Sequence, residues 1–396
     1  RIDAQMPQEQ KNDKADFIIE NNFTLSDFNF FRLADENIAL APPMHRDECK
    51  LMVVHKKSGT IDIFKRDSKG RPKDGSNKKK KEYLDFRNVL DYFKEGDTFV
   101  FNDTKVFPAR IFANKEKTDS IIEVFVLREL SEEMHLWDAL VDPARKIRIG
   151  NKLYFRDDSG LVAEVVDNTT SRGRTLRFLY DCSHEEFKQA LYKAGSAPIP
   201  EYLKAKRDAT PEDLENYQCL FAKNLGAVTA PESGFHFSRE MLKRMEIRDI
   251  NMAFVTMHIS LACYNIIDVE DLSKHKPESE QIQVTEEACD IINKAKANGK
   301  KIIAVGTNTW RTMEATVGTD GKLKPYKGWT SKFIFPPYNT SLANCMIGNF
   351  YHPLSPMLMM ECAFGGYELI CKAYKLALDN NFKFGCYGDA MLILND

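Results

Sequence analysis

A carboxyl, a hydroxyl and an imidazole stand within five residues of one another in the segment 226–237, Gly-Ala-Val-Thr-Ala-Pro-Glu-Ser-Gly-Phe-His-Phe. Glu232, Ser233 and His236 are the residue types that accept, donate and relay protons. Pro231 restricts the residue before it and fixes its own φ, while Gly234 can take a positive φ. A β-type run that stops at Ala230-Pro231 and restarts in Phe235-His236-Phe237 is therefore joined by a tight, rigid turn. Such a turn aims side chains and bare amides at one point, although a plain connection between two core strands fits the pattern equally well. Ser238 reads as the N-cap of a short helix from Arg239 to Met245, whose first amides lie close by. A second imidazole, His258, falls in a strand from Ala253 to Ser260, where a hydrogen-bonded core histidine is the alternative reading.

Further along, the strand Ile302 to Val305 runs into Gly306-Thr307-Asn308-Thr309 and a helix beginning near Trp310. This βα turn has free amides that could hold a carboxylate or a phosphate. Arg311 and Glu314 lie three apart on that helix and share a face, so they could clamp a substrate or pair with each other. Asn102 and Asp103 end a strand at an expected domain interface, where pockets concentrate. Asp389, between Gly388 and Ala390, is a ligand or a turn cap.

The elements that must position these residues fall into two patterns. From Asp97 to Tyr180 short β runs alternate with polar turns, beginning at Thr98 to Phe101, which predicts a small closed β-barrel. The remainder alternates helices with strands. Ser183-His184-Glu185-Glu186 is a capping box opening a helix with Phe187 and Leu191 on its apolar side. Another helix spans about Glu286 to Ala297 behind Thr285, and a third Tyr367 to Asp379. The fold class read from this is α/β: a larger mixed, barrel-like α/β domain formed by residues 1–95 and 183–396, interrupted by a β-barrel insert at 96–182.

With 396 residues and 43% hydrophobic content the chain can bury the cores of two domains. The formal net charge of −2 means that a nucleic-acid partner must be held by a local basic patch. Nine cysteines are scattered without a C-x-x-C pair, which disfavours a disulfide framework and a zinc knuckle and suits a reducing cytoplasm. No secretory signal is expected in the polar first thirty residues, and the apolar stretch Met252 to Ile267 is too short to span a bilayer, so a soluble, cytoplasmic, monomeric protein without a membrane partner is the expectation. Between Lys65 and Lys81 a Pro- and Gly-containing run carries nine basic residues, either a flexible arm for RNA phosphates or a solvated insertion.

Five ordered segments carry a resemblance: Asn102 to Arg110 (Asn-Asp-Thr-Lys-Val-Phe-Pro-Ala-Arg), Tyr217-Gln218, Ala230 to Phe237, Ala304 to Thr312, and Tyr387 to Ile393. Together they resemble the signature segments of the S-adenosylmethionine:tRNA ribosyltransferase-isomerase family of the queuosine pathway. The likeness runs from about Leu33 to Ile393 and implies the same two-part fold. It implies transfer and isomerisation of the ribosyl part of S-adenosylmethionine onto 7-aminomethyl-7-deazaguanine in tRNA, giving epoxyqueuosine and releasing adenine and methionine, with the sulfonium compound as a substrate and no metal. His236, His258 and Glu232 are then expected closest to the chemistry. Asn102, Asp103, Arg110, Ser233, Gly234, Gly306, Thr307, Arg311, Glu314, Asn349, His352 and Asp389 are expected to bind substrate.

Two regions, 260–280 and 349–356, depart from the family pattern. Ser260-Leu261-Ala262-Cys263-Tyr264 and His275-Lys276-Pro277-Glu278-Ser279-Glu280 replace a glycine-rich run and a two-histidine run, and Asn349 to Pro356 lacks the family's lysine. They point to a reshaped pocket and keep open a paralogue with another acceptor, or a non-catalytic RNA-binding protein on the same scaffold. The family's shorter connection in place of 65–81 favours the solvated-insertion reading of that run.

Overall fold

The computed structural model describes residues 23–67, 71–73, 81–156, 160–263 and 267–396. Strands β1 (Leu51–His55), β2 (Thr60–Asp62) and β3 (Thr98–Asn102) enter a large sheet, and β4 (Thr104–Val106) follows directly. Six consecutive strands then close a barrel: β5 (Arg110–Lys115), β6 (Ile121–Ser131), β7 (Leu136–Asp142), β8 (Lys152–Phe155), β9 (Val162–Asn168) and β10 (Gly173–Leu179). Strand β11 (Asn224–Ala227) pairs with β4 in a parallel ribbon. Strands β12 (Asn251–Met257), β13 (Glu280–Val284), β14 (Ile302–Val305), β15 (Tyr326–Thr330), β16 (Cys345–Asn349) and β17 (Ala390–Leu394) complete a nine-stranded mixed sheet. Its order is β15-β13-β12-β3-β14-β16-β17-β1-β2.

Alternation builds the barrel. Along β7, Trp137, Ala139 and Val141 point into its core while Leu136, Asp138 and Leu140 are only partly buried. Ile111, Val124, Leu153, Val165 and Phe178 join them, so the barrel is filled by side chains and holds no channel. The expected first barrel strand is elsewhere. All five residues of β3 are buried, and it lies between β12 and β14 near the middle of the large sheet. A strand covered on both faces reads as an unbroken apolar run, which is why Thr-Phe-Val-Phe carried no sign of which sheet it joins.

Helix His184–Ala194 starts at the expected capping box, with Glu186 N–H donating to Ser183 Oγ (3.3 Å) and Ser183 N–H to Glu186 Oε2 (2.9 Å), and it seats Phe187 and Leu191 on the barrel core. Helices Glu286–Ala297 and Tyr367–Asp379 form where the periodicity placed them. Strands β12, β3, β14 and β16 run parallel, so Met257, Asn102, Val305 and Asn349 end at one edge. Carboxyl ends of parallel strands are where open α/β sheets bind ligands. Among the described residues no helix is long and apolar enough to cross a membrane.

Candidate active site

Above that edge lies a cleft of connected compartments, one wall from the sheet and the other from the barrel. The compartment of about 370 Å³ sets barrel residues Leu127, Arg128, Asp138 and Arg172 against Gly226, His258 and Ser260. Glu278 and Glu280 are shared with a neighbouring space of about 380 Å³ that reaches Asn308, Arg311 and Lys332. Arg172 and Leu261 lead the other way into about 430 Å³ bounded by Arg110, Glu123, Tyr202 and His352. A narrow crevice between these runs along Thr229 to Ser233, Val305 to Thr309 and Tyr351.

The Pro-Glu-Ser-Gly segment forms one turn of 3-10 helix, Glu232–Gly234, and continues as a loop into helix Arg239–Ile247, capped by Ser238 Oγ accepting from Met241 N–H (3.1 Å). No strand restarts at Phe235. Gly234 does not use a positive φ either. It is required by contact, because a Cβ there would sit 2.6 Å from Cys219 Sγ and 2.8 Å from the Phe221 ring. Glu232 is buried at the crevice, and desolvation pushes its carboxyl up to about 8, so it is protonated at neutral pH. Ser233 Oγ lies 3.5 Å from the Tyr351 hydroxyl.

The two histidines part company. His236 points behind the turn into the core, its ring 5.0 Å from Phe86. Asn349 Oδ1 accepts from Nε2–H (3.0 Å), so Nδ1 is the lone-pair nitrogen and takes the Cys49 S–H at 3.1 Å. Burial raises the thiol and lowers the imidazole to about 4, keeping both neutral. Asn349 in turn donates to the Gly385 carbonyl (3.3 Å). His258 stands just beyond β12 and lines the cleft. The Thr104 hydroxyl donates to the Asn224 carbonyl (3.4 Å) and accepts from Nδ1–H of His258 at 2.8 Å, which leaves Nε2 as the acceptor. Burial lowers this imidazole, with Asp103 opposing. The ring packs on Gly226, where a Cβ would fall 2.8 Å from Nε2.

The remaining expected residues divide into lining and framework. Asn102 is a staple: its Oδ1 accepts from Met257 N–H (3.0 Å) and Thr104 N–H (3.1 Å), and its Nδ2 donates to the Met257 carbonyl (3.1 Å). Asp103 accepts from Thr256 Oγ1 (2.6 Å) and Asn224 Nδ2 (3.0 Å), fixing the strand beneath His258. Asp389 accepts from the amides of Lys50 and Lys383, both 2.7 Å, and is a turn cap whose burial raises it to about 6.

Arg311 and Glu314 do not pair with each other. Arg311 is buried against Glu280, donates Nε to the Lys332 carbonyl (2.6 Å) and keeps Nη2 without a partner beside the cleft. Glu314 is committed to Tyr338, Ser341 and Trp310 on the far side. Gly306 is the N-cap of helix Thr307–Thr316 at φ 97°, and the Thr307 hydroxyl is buried without a partner at the crevice. Arg110 joins Glu123 and Glu201 and lines the third compartment together with His352, whose Nε2 is buried and unpartnered. Tyr351, Arg172 and Trp329 also line the cleft and escaped the sequence reading. Tyr351 lies between Asn349 and His352, both expected to bind substrate, and a tryptophan on a short polar strand was the available signal for Trp329. No group of three or more His, Cys, Asp or Glu is placed to hold a metal ion among the described residues.

A mixed α/β sheet with buried, titratable polar groups at its parallel strand ends, closed over by a barrel, has the form of an α/β enzyme. The chain belongs to the queuosine biosynthesis protein family, whose model matches residues 25–393. It is 58% identical over 371 residues to the S-adenosylmethionine:tRNA ribosyltransferase-isomerase of Phocaeicola vulgatus, covering 94% of this chain and 99% of that one. A protein of the same name from Bacteroides fragilis is 56% identical over the same shares, and one from Flavobacterium psychrophilum is 54% identical over 93% and 99%. The crystal structure of the S-adenosylmethionine tRNA ribosyltransferase of Thermotoga maritima aligns with a TM-score of 0.49 at 26% identity, covering 93% of this chain and 100% of that chain.

Proposed function

We propose that this enzyme transfers and isomerises the ribosyl part of S-adenosylmethionine onto 7-aminomethyl-7-deazaguanine in tRNA, giving epoxyqueuosine with release of adenine and methionine. The observation that carries this reading is a neutral carboxylic acid at Glu232, lining the crevice, together with a neutral imidazole acceptor at His258, lining a neighbouring compartment. The reaction needs a base to take a proton next to the sulfonium and a donor for departing adenine. His258 Nε2 suits the first task and the Glu232 carboxyl the second. The first-turn amides of helix Thr307–Thr316 and the Arg311 guanidinium supply positive potential for the methionine carboxylate. His236 takes a positioning role through Asn349, because both its ring nitrogens are committed.

Incubation with S-adenosylmethionine and tRNA bearing the aminomethyl precursor, read by nucleoside mass spectrometry, should yield epoxyqueuosine together with free adenine. Calorimetric binding of S-adenosylmethionine without that product would favour a paralogue with another acceptor. Absence of binding at millimolar ligand by the folded protein would sink both enzymatic readings.

A further inference from the structure

Trp329 is the tryptophan left open to solvent. It sits on β15, an edge strand of the large sheet, and remains 51% exposed, whereas Trp137 and Trp310 are 2% and 0% exposed. A large exposed ring on a sheet edge is a liability for a soluble fold unless something covers it. Its surroundings indicate what does. Trp329 lines the same compartment as His258. It pairs in register with Gln281, whose carbonyl accepts the backbone N–H of His258 at 3.0 Å, so the two residues are two strand spacings apart, roughly 10 Å. The Arg128 guanidinium lies over the ring at 5.3 Å and is itself steadied by Asp138 at 3.6 Å. Arg172, on the barrel lip of that compartment, is exposed and makes no ion pair among the described residues.

We infer that Trp329 is a stacking platform for the unpaired RNA base next to the nucleotide that enters the cleft, with Arg172 meeting the adjoining phosphate. This rests on the RNA-modifying reading above. A nucleotide can reach a recessed cleft only by leaving its stack, which strips its neighbour of a stacking partner. An indole beside a cation, about 10 Å from His258 in the cleft, replaces that partner. The occupant is single-stranded RNA, because an aromatic face flanked by arginines suits a base and its phosphate and an apolar peptide does not.

The test uses the full-length protein and the isolated anticodon stem-loop. Trp329 is the one exposed tryptophan of the three, so its red-shifted, iodide-quenchable emission reports on this site alone. Binding should quench that emission and remove iodide access, and Trp329→Phe should abolish the signal while still binding. Trp329→Ala should raise the KM for tRNA about 5- to 150-fold, the value of one base–aromatic stack, and leave the KM for S-adenosylmethionine within twofold. Trp329→Phe should recover most of that loss, and Arg172→Gln should flatten the salt dependence of binding by about one unit of slope. RNA binding that leaves iodide access unchanged, or a Trp329→Ala variant with an unaltered KM for tRNA, would overturn the inference. The fluorescence measurement needs no turnover, so quenching in a protein that makes no product would reject the ribosyl-transfer reading and keep this one.

Discussion

At the residue scale the site rests on two neutral groups whose protonation burial has set. Glu232 carries its proton to about pH 8, so a step in which it donates should fail as pH rises through that value. The kcat profile of the parent enzyme should fall on its alkaline side with that midpoint, and Glu232→Gln should lower kcat roughly 100-fold or more and lose the limb. The same carboxyl affects stability in a stated direction. Its folded value lies above its unfolded one, so its contribution is present below about pH 4.5 and lost as pH rises through about 8, a slope that Glu232→Gln should remove from denaturant titrations. His236 runs the other way: with its folded value near 4, its contribution is present above about pH 6.5 and lost as pH falls through 4. Because it is packed behind the turn, His236→Ala should cost about 1–3 kcal/mol in urea unfolding by leaving Asn349 and Cys49 unpartnered in the core. His258→Ala should leave the urea midpoint nearly unchanged and lower kcat by roughly 100-fold. Equal stability losses in the two variants would contradict this division of roles.

At the scale of elements, the imidazole of His258 is aimed by what surrounds the end of β12. Thr104 on β4 holds Nδ1, and Gly226 on β11 leaves room for the ring, so the small parallel ribbon aligns the imidazole with the cleft. A methyl group at 226 would sit 2.8 Å from Nε2 and must push the ring aside. Gly226→Ala should therefore lower kcat by more than tenfold while its circular dichroism stays that of the parent, since a displacement of about 1 Å can cost 100-fold in rate. Unchanged turnover in that variant would show that the ring is not held by this contact. Helix Thr307–Thr316 illustrates the opposite outcome for a sequence pattern. Arg311 and Glu314 share a helical spacing, yet one faces the cleft and the other the Tyr338–Ser341 loop, because a helix buried nearly all round offers a different neighbour at each position.

At the scale of the whole molecule, net charge is close to neutral, so the RNA of the proposed function would have to be met locally. Within the basic run 65–81, residues 68–70 and 74–80 lie outside the described residues. Of its described cations, Lys65 and Lys73 pair with Glu82, Arg66 with Asp62, and Arg71 with Asp67. Charges already neutralised by neighbouring acids release few counterions on binding. Replacing Lys65, Arg66, Arg71 and Lys73 by Ser should leave S-adenosylmethionine affinity unchanged and alter the slope of log affinity against log salt for tRNA by less than about one. A change of three or four units would identify the run as a dedicated RNA arm.

The residues and their spacing determined a good part of this protein. Short β runs spaced by polar turns marked a barrel, the N-caps Ser183, Ser238 and Thr285 marked the starts of their helices, and five separated motifs marked the family, because local hydrogen bonding is written in neighbouring residues. The tertiary structure alone decided which of two histidines faces the cleft, since His236 and His258 differ in what lies across from them and not in their own neighbours. It alone placed Thr98–Asn102 in the large sheet, a strand apolar on both faces being equally at home in either. Trp329 and Arg172, 157 positions apart in the chain, share one compartment only because the barrel folds back over the sheet edge. Strand pairing across such separations depends on buried area and twist summed over the whole sheet, and no local segment records that sum.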